Sequence, residues 1–289
     1  MIARAPPSRF LFSCGRLANT AGVPFASVNG IDLYYESHGA GPALVLAHGA
    51  GGNHLSWWQQ VPVFAEHYRV ITFDHRAFGL SRDGEGEARR GRRAFHEDLR
   101  ALLDDLGIDD VRIVAQSMGG RTAVGFSLLN PGRCKAVVFA GTTGGAVDDD
   151  IRQMQAEHRE TEVGRLPLAK RAVSPQLRER AAARHFLYHE IRRLNPPRPR
   201  DFLAPVPGYR GTSADRLAAS GIPILFLVGE HDTVTPPAII EACHRAVPGS
   251  RFAVIPDAGH SVYFEQPDAF NRAVLDFLAL TEGGGQSLR

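Results

Sequence analysis

Six short runs that are apolar at nearly every position recur along the chain: PALVLAHG (42–49), YRVITFDHR (68–76), VRIVAQS (111–117), KAVVFAGTT (135–143), IPILFLVGE (222–230) and RFAVIPDAG (251–259). A strand with one wet face alternates apolar and polar residues, so a continuous run points to a strand covered on both faces. Between the runs lie stretches with helical periodicity. In RAFHEDLRALLDDLG, Phe95, Leu99, Leu102, Leu103 and Leu106 share one helical face and Gly107 marks the stop. SWWQQVPVFAEHY, GGRTAVGFSLLNP, PPAIIEACHRAV and QPDAFNRAVLDFLAL read the same way. Strands alternating with helices predict an α/β fold with a mostly parallel central sheet and helices on both faces.

Two further strands precede these. PFASVNG and IDLYYESHG alternate apolar and polar residues and join through Asn29-Gly30, a hairpin signal that adds an antiparallel edge and brings the expected strand number to about eight. One stretch breaks the pattern. Residues 147–213 lack a buried strand and are rich in charge, with helical segments near 149–162 and 176–194 followed by the loop NPPRPRDFLAPVPG. An insertion between two strands is expected to form a helical cap over one end of the sheet, where open α/β folds keep their ligand crevice. The expected division is therefore core at 23–146 and 214–283 and cap at 147–213. Residues 1–22 contain three arginines and no acid, and read as a disordered extension or a transit peptide outside the fold.

Composition narrows the function classes. Lys plus Arg number 33 against 31 Asp plus Glu, so there is no electrostatic case for nucleic acid. No apolar stretch approaches the roughly 18–20 residues that cross a bilayer. Cys14, Cys134 and Cys243 are odd in number and widely spaced, which fits a reducing, cytoplasmic setting rather than a disulfide framework. His189-Glu190 lacks a second histidine at helical spacing, and no P-loop or G-x-G-x-x-G occurs, so neither metal nor cofactor is expected. The expected partner is a small-molecule substrate, bound by a monomer or homodimer.

The loops that follow the apolar runs carry His48-Gly49-Ala50-Gly51-Gly52, then Asp74-His75-Arg76, Ser117, Asp232 and His260. A lone serine after a strand is ordinarily a helix N-cap, and a lone aspartate there a turn residue, with Glu230 and Asp148 as alternative acids. Together they offer serine, acid and histidine in the chain order Ser…Asp…His. With HGAGG, DHRAFGLS, AQSMGG, GEHDTVTPP and DAGHSVYFEQP each after its own strand, residues 24–281 resemble the α/β-hydrolase superfamily.

The resemblance implies Ser117 as nucleophile, His260 as base and Asp232 as its orienting acid, with the backbone N–H groups of Ala50 and Met118 as oxyanion donors. Two alanines, Ala77 and Ala115, stand where the family pattern usually has glycine. The implied reaction is hydrolysis of an ester or lactone of a small, largely apolar substrate through an acyl-enzyme. Trp57, Phe78, Gln116, Phe186, Tyr188, Val234, Val262 and Tyr263 are the expected pocket. Carbon–carbon bond hydrolysis and cofactor-free perhydrolase or lyase chemistry share this machinery. The carbon–carbon subgroup usually carries Asn before the serine and Trp after the histidine, where this chain has Gln116 and Ser261. A ligand receptor that keeps the triad is the non-enzymatic alternative.

Overall fold

The computed structural model describes residues 24–86, 89–199, 202 and 213–283; the extension expected over residues 1–22 lies outside them. Eight strands form one sheet: β1 (Phe25–Val28), β2 (Ile31–His38), β3 (Ala43–Ala47), β4 (Arg69–Phe73), β5 (Val111–Gln116), β6 (Cys134–Ala140), β7 (Ile224–Gly229) and β8 (Arg251–Ile255). Their spatial order is β1-β2-β4-β3-β5-β6-β7-β8. The pairs β1/β2 and β2/β4 are antiparallel and the rest parallel. The hairpin turns through Asn29 (φ 50°) and Gly30 (φ 76°), the two positive φ values that a type I′ turn requires.

Because successive side chains of a strand point to opposite faces, each central strand feeds two cores. Val45, Ile113, Phe139 and Phe226 join one of them, which is closed by Leu99 and Leu103 of helix Phe95–Asp105 and by Phe126 of helix Gly119–Leu129. Leu44, Leu46, Val114 and Leu225 join the other, closed by Phe270, Val274 and Phe277 of helix Pro267–Gly283. Cys134 and Cys243 are free and buried, and burial pushes their thiols up to about 11 and about 12. Edge strand β8 is only half-buried despite its apolar sequence.

Two expected helices are shorter than their periodicity suggests. SWWQQVPVFAEHY divides into a 3-10 turn, His54–Trp57, capped by Asn53, and a short helix, Val61–Phe64. Pro62 has no N–H to donate, so one continuous helix cannot run through it. The segment near 176–194 divides at Ala181 (φ −150°, ψ 66°) into Pro175–Arg180 and Ala182–Arg193.

Between β6 and β7, the helices from Asp149–Glu160 to Ala182–Arg193 are tied to loops that follow the carboxyl ends of strands and border the same cavities, and so form a roof there. Their buried apolar contribution is small: Ile151 to one core, and Ala172, Val173, Leu177, Tyr188 and Ile191 to the other. Polar ties hold them down: Asn53 Nδ2 donates to Ile191 O (2.9 Å), Ser261 Oγ to Ala172 O (2.6 Å), and Ser174 N to Glu265 Oε2 (3.0 Å). No helix among the described residues is long and apolar enough to cross a membrane.

Candidate active site

Ser117 directly follows β5 and directly precedes Met118, the residue that opens helix Gly119–Leu129. Its φ of 50° is in the left-handed region, which costs a side chain with a Cβ about 1–2 kcal/mol. The bend is therefore strained, and it lifts the hydroxyl off the end of the sheet. Tight packing holds it there. A Cβ on Gly119 would collide with the Ala47 carbonyl, and one on Gly120 would meet the Thr142 side chain at 2.7 Å. Ala115 is wholly buried within β5, so its methyl group is accommodated.

The loops after β7 and β8 bring Asp232 and His260 to the same place. Asp232 Oδ1 accepts the backbone N–H groups of Val234 (2.8 Å) and Thr235 (2.9 Å), which fixes the carboxylate. Its Oδ2 lies 2.8 Å from His260 Nδ1, and His260 Nε2 lies 2.8 Å from Ser117 Oγ. An ionised carboxylate only accepts, so Nδ1 carries the imidazole proton and Nε2 accepts from the hydroxyl. Asp232 and His260 are both 3% exposed. Gly141, at φ 59°, leaves room for the pair, since a Cβ there would stand 3.1 Å from both Asp232 Oδ2 and His260 Nδ1.

A second histidine pair supports the loop after β3. His48 Nδ1 donates to Gly49 O (2.8 Å), while its Nε2 accepts from His75 N (3.0 Å) and His75 Nδ1 (3.0 Å). His75 Nε2 accepts from Thr122 Oγ1 (2.7 Å) in the helix behind Ser117. These bonds need both rings neutral. Burial enforces this, pushing His48 down to about 4 and His75 well below its ordinary value. Asp74 fastens the same region: its Oδ1 accepts His54 N (2.6 Å) and its Oδ2 accepts Leu80 N (2.8 Å). Arg76 is buried against Asp98 and Asp83. The motif DHRAFGLS thus works as a brace rather than as reacting groups.

Two cavities open on Ser117. The smaller, about 300 Å³, is lined by Gln116, Tyr188, Tyr263 and His260, with Leu168 and Ala172 from the roof. The larger, about 560 Å³, runs past Met118 and Gly141 to Val234 and Thr142. Ala50 borders both, and the N–H of Met118 begins a helix whose first amides have no intrahelical acceptors.

Of the eight pocket candidates, Gln116, Tyr188 and Tyr263 line the smaller cavity and Val234 the larger, while the other four are placed elsewhere. Phe186 is 65% exposed on the roof's outer side. Trp57 and Val262 are fully buried, Trp57 packing on Tyr263 at 4.5 Å. Phe78 is buried beneath the Arg198 guanidinium, which lies 3.9 Å from its ring centre. None of these four lines either cavity. Aromatic residues close in sequence to a site are as readily consumed by the core. The lining residues that sequence reasoning missed, among them Gly141, Thr142, Leu168 and Arg92, come from loops and single helical turns too short for periodicity, and carried no local signal.

Ser261 and Gln116 have structural partners. The Ser261 hydroxyl reaches Ala172 O and lies 3.1 Å from the Tyr188 hydroxyl, and Gln116 Nε2 donates to His260 O (3.2 Å). Among the described residues, Glu230, His231 and Asp257 could together reach a metal ion, but all three are exposed and far from enclosure.

The chain is similar to several known proteins. BpoC of Mycobacterium tuberculosis, whose name places it among the non-heme bromoperoxidases, is 32% identical over 270 residues, covering 86% of this chain and 98% of its own. A 2-hydroxy-6-oxononadienedioate/2-hydroxy-6-oxononatrienedioate hydrolase of Dechloromonas aromatica is 29% identical over 271 residues, covering 86% and 91%. Among solved structures, a thermophilic esterase from Thermogutta terrifontis superposes with a TM-score of 0.71 at 28% identity, covering 90% of this chain and 97% of that one. Residues 42–267 match the family described as the alpha/beta hydrolase fold, and to that family the chain belongs.

Proposed function

We propose that this hydrolase cleaves an ester or lactone of a small, largely apolar acyl compound, with Ser117 as nucleophile. The observation that carries the reading is the line Ser117 Oγ–His260–Asp232, with 2.8 Å at each step and the serine held at positive φ. A serine hydroxyl is a poor nucleophile at neutral pH. Here His260 Nε2 takes its proton as Oγ attacks the substrate carbonyl, and Asp232 stabilises the imidazolium. The tetrahedral oxyanion faces the N–H groups of Ala50 and Met118; one such donor is worth about 3–4 kcal/mol. The imidazolium then protonates the leaving alcohol, and water repeats the sequence to free the acid and regenerate Ser117.

The Thermogutta esterase supports ester hydrolysis, whereas the Dechloromonas relative's name describes a hydrolase of a 2-hydroxy-6-oxo dienedioate or trienedioate, the vinylogous substrate type that the carbon–carbon alternative would take. Against the latter, Ser261 is spent on the roof and Gln116 on the His260 carbonyl. The test is turnover of p-nitrophenyl butyrate, an aryl lactone and a vinylogous diketone by wild type and Ser117→Ala. Ester or lactone turnover should fall by about 10⁴-fold or more in Ser117→Ala. An organophosphonate should label Ser117. Ser117-independent turnover would sink the reading, diketone turnover alone would favour carbon–carbon hydrolysis, and binding without repeated turnover would favour a receptor.

A further inference from the structure

The larger cavity carries a charge that the reaction above does not use. Arg92, in the 3-10 turn Gly91–Ala94, lines it together with Arg121, Ser117 and Met118. Arg92 Nη2 is shut away from solvent and has no acceptor among the described residues. Burial, Arg121 and Arg93 together pull its guanidinium down to about 10, so it stays cationic at neutral pH against unfavourable surroundings. Buried donors are normally paired, and a charged one left without an acceptor is costly. No acidic residue appears among the described walls of this cavity, and Thr142, Thr143 and Gln155 add neutral polar groups.

Arg198 shows the contrast. It is also half-buried, but its Nη1 and Nη2 donate to Ala77 O (3.1 Å) and Ala50 O (3.4 Å), and its face covers Phe78. Its donors are committed to the fold; the inner nitrogen of Arg92 is not.

We propose that the cavity shared by Arg92, Arg121 and Ser117 is a carboxylate subsite, so that preferred substrates are monoesters or lactones bearing a second, free carboxylate. The proposal rests on hydrolysis at Ser117. A carboxylate presents two acceptor oxygens in a plane, which matches the donor fork of a guanidinium. Its negative charge would also offset the burial and like-charge penalties that the Arg92 guanidinium now bears. The cavity, about 560 Å³, is large enough for a short dicarboxylic chain. Arg92 is a binding residue here, remote from the reacting atoms.

The experiment has two arms. In the first, monomethyl esters from succinate to suberate are compared with their dimethyl esters by kcat/KM. At one chain length or more, wild type should favour the monoester by about 10–100-fold, the worth of a charged hydrogen bond. Arg92→Met should abolish that preference and Arg92→Lys keep part of it. Arg93→Met, altering an exposed neighbour, should retain it. Preference for the diester at every length, or a monoester preference that survives Arg92→Met, overturns the proposal.

The second arm separates the subsite from the reaction. Free dicarboxylates from succinate to suberate are titrated calorimetrically into Ser117→Ala and into the Ser117→Ala, Arg92→Met double variant. Binding to the first that weakens about tenfold or more in the second supports the subsite even if no ester is turned over. No binding, or equal binding to both, overturns it.

Discussion

The sheet and the roof meet at the same cavity but are held by different forces. Every residue of β3 is buried, and the central strands pack into the two cores from both sides. Helix Asp149–Glu160 buries only Ile151, and the helix Ala182–Arg193 only Tyr188 and Ile191. The roof is attached through side-chain hydrogen bonds to loops, such as Asn53 to Ile191 O and Gly79 N to Asn195 Oδ1. Apolar burial is non-directional and cumulative, so it makes a cooperative scaffold; single polar ties are worth roughly 1 kcal/mol each and can open locally. Ser117, Asp232 and His260 come from the scaffold, while the cavity walls are shared with the more weakly attached roof.

The same substitution in both regions tests that distinction most severely. Leu46→Ala in β3 should lower the free energy of unfolding by about 2–5 kcal/mol. Leu177→Ala, equally buried but in the roof, should leave global unfolding within about 1 kcal/mol while raising hydrogen exchange in residues 149–193. Equal losses in urea titrations would make roof and sheet one cooperative unit.

Acid should act with opposite signs on His48, in the loop after β3, and on Glu265, beneath the roof. His48 titrates at about 4 in the fold against an ordinary 6.5, so the unfolded chain takes up the proton first. Its contribution is full above pH 6.5 and falls, as pH drops toward 4, by up to about 1.4 kcal/mol per unit. His75 adds in the same direction. Glu265, beneath the roof, has its carboxyl pushed up by burial, so the folded state takes up the proton first and acid favours it. Unfolding free energy should fall between pH 7 and pH 5, and fall more steeply in Glu265→Gln. A flat profile would contradict the buried neutral histidine pair.

Smaller effects sharpen the comparison. Asn53→Ala removes a cap from the core loop and a tie from the roof, and should cost about 1–2 kcal/mol. A rise in KM with kcat maintained would assign the tie to roof placement; a fall in kcat would assign it to the loop of Ala50. The smallest effect concerns the brace. Ala77 sits at φ 65° where the family pattern has glycine, so Ala77→Gly should stabilise by up to about 1 kcal/mol in thermal unfolding. A loss would show that the methyl group packs usefully.

How far the sequence could be read follows the same division. The apolar runs predicted the central strands and the α/β class, because burial on both faces leaves a local record at every position, and Asn29-Gly30 between alternating segments predicted the hairpin. The serine, aspartate and histidine were legible as residues at or just beyond the ends of those runs. The split of 176–194 at Ala181 and the exposure of Phe186 were not, because the roof's pattern is thin and its helices answer to distant partners such as Glu265. Trp57, Phe78 and Val262 were legible as apolar but not as core rather than pocket, since composition cannot tell which neighbours a side chain will meet.

By itself, then, the sequence determined the order of strands and helices, the antiparallel edge and the three chemically competent loops, all written in local periodicity and turn residues. Tertiary structure alone decided that those loops converge to 2.8 Å contacts, that His48 and His75 are neutral partners, and that Arg92 and Ser117 line one cavity. The physical reason is range. Periodicity is a property of neighbouring residues, whereas hydrogen-bond lines, desolvation and cavities arise between residues that only the folded sheet brings together.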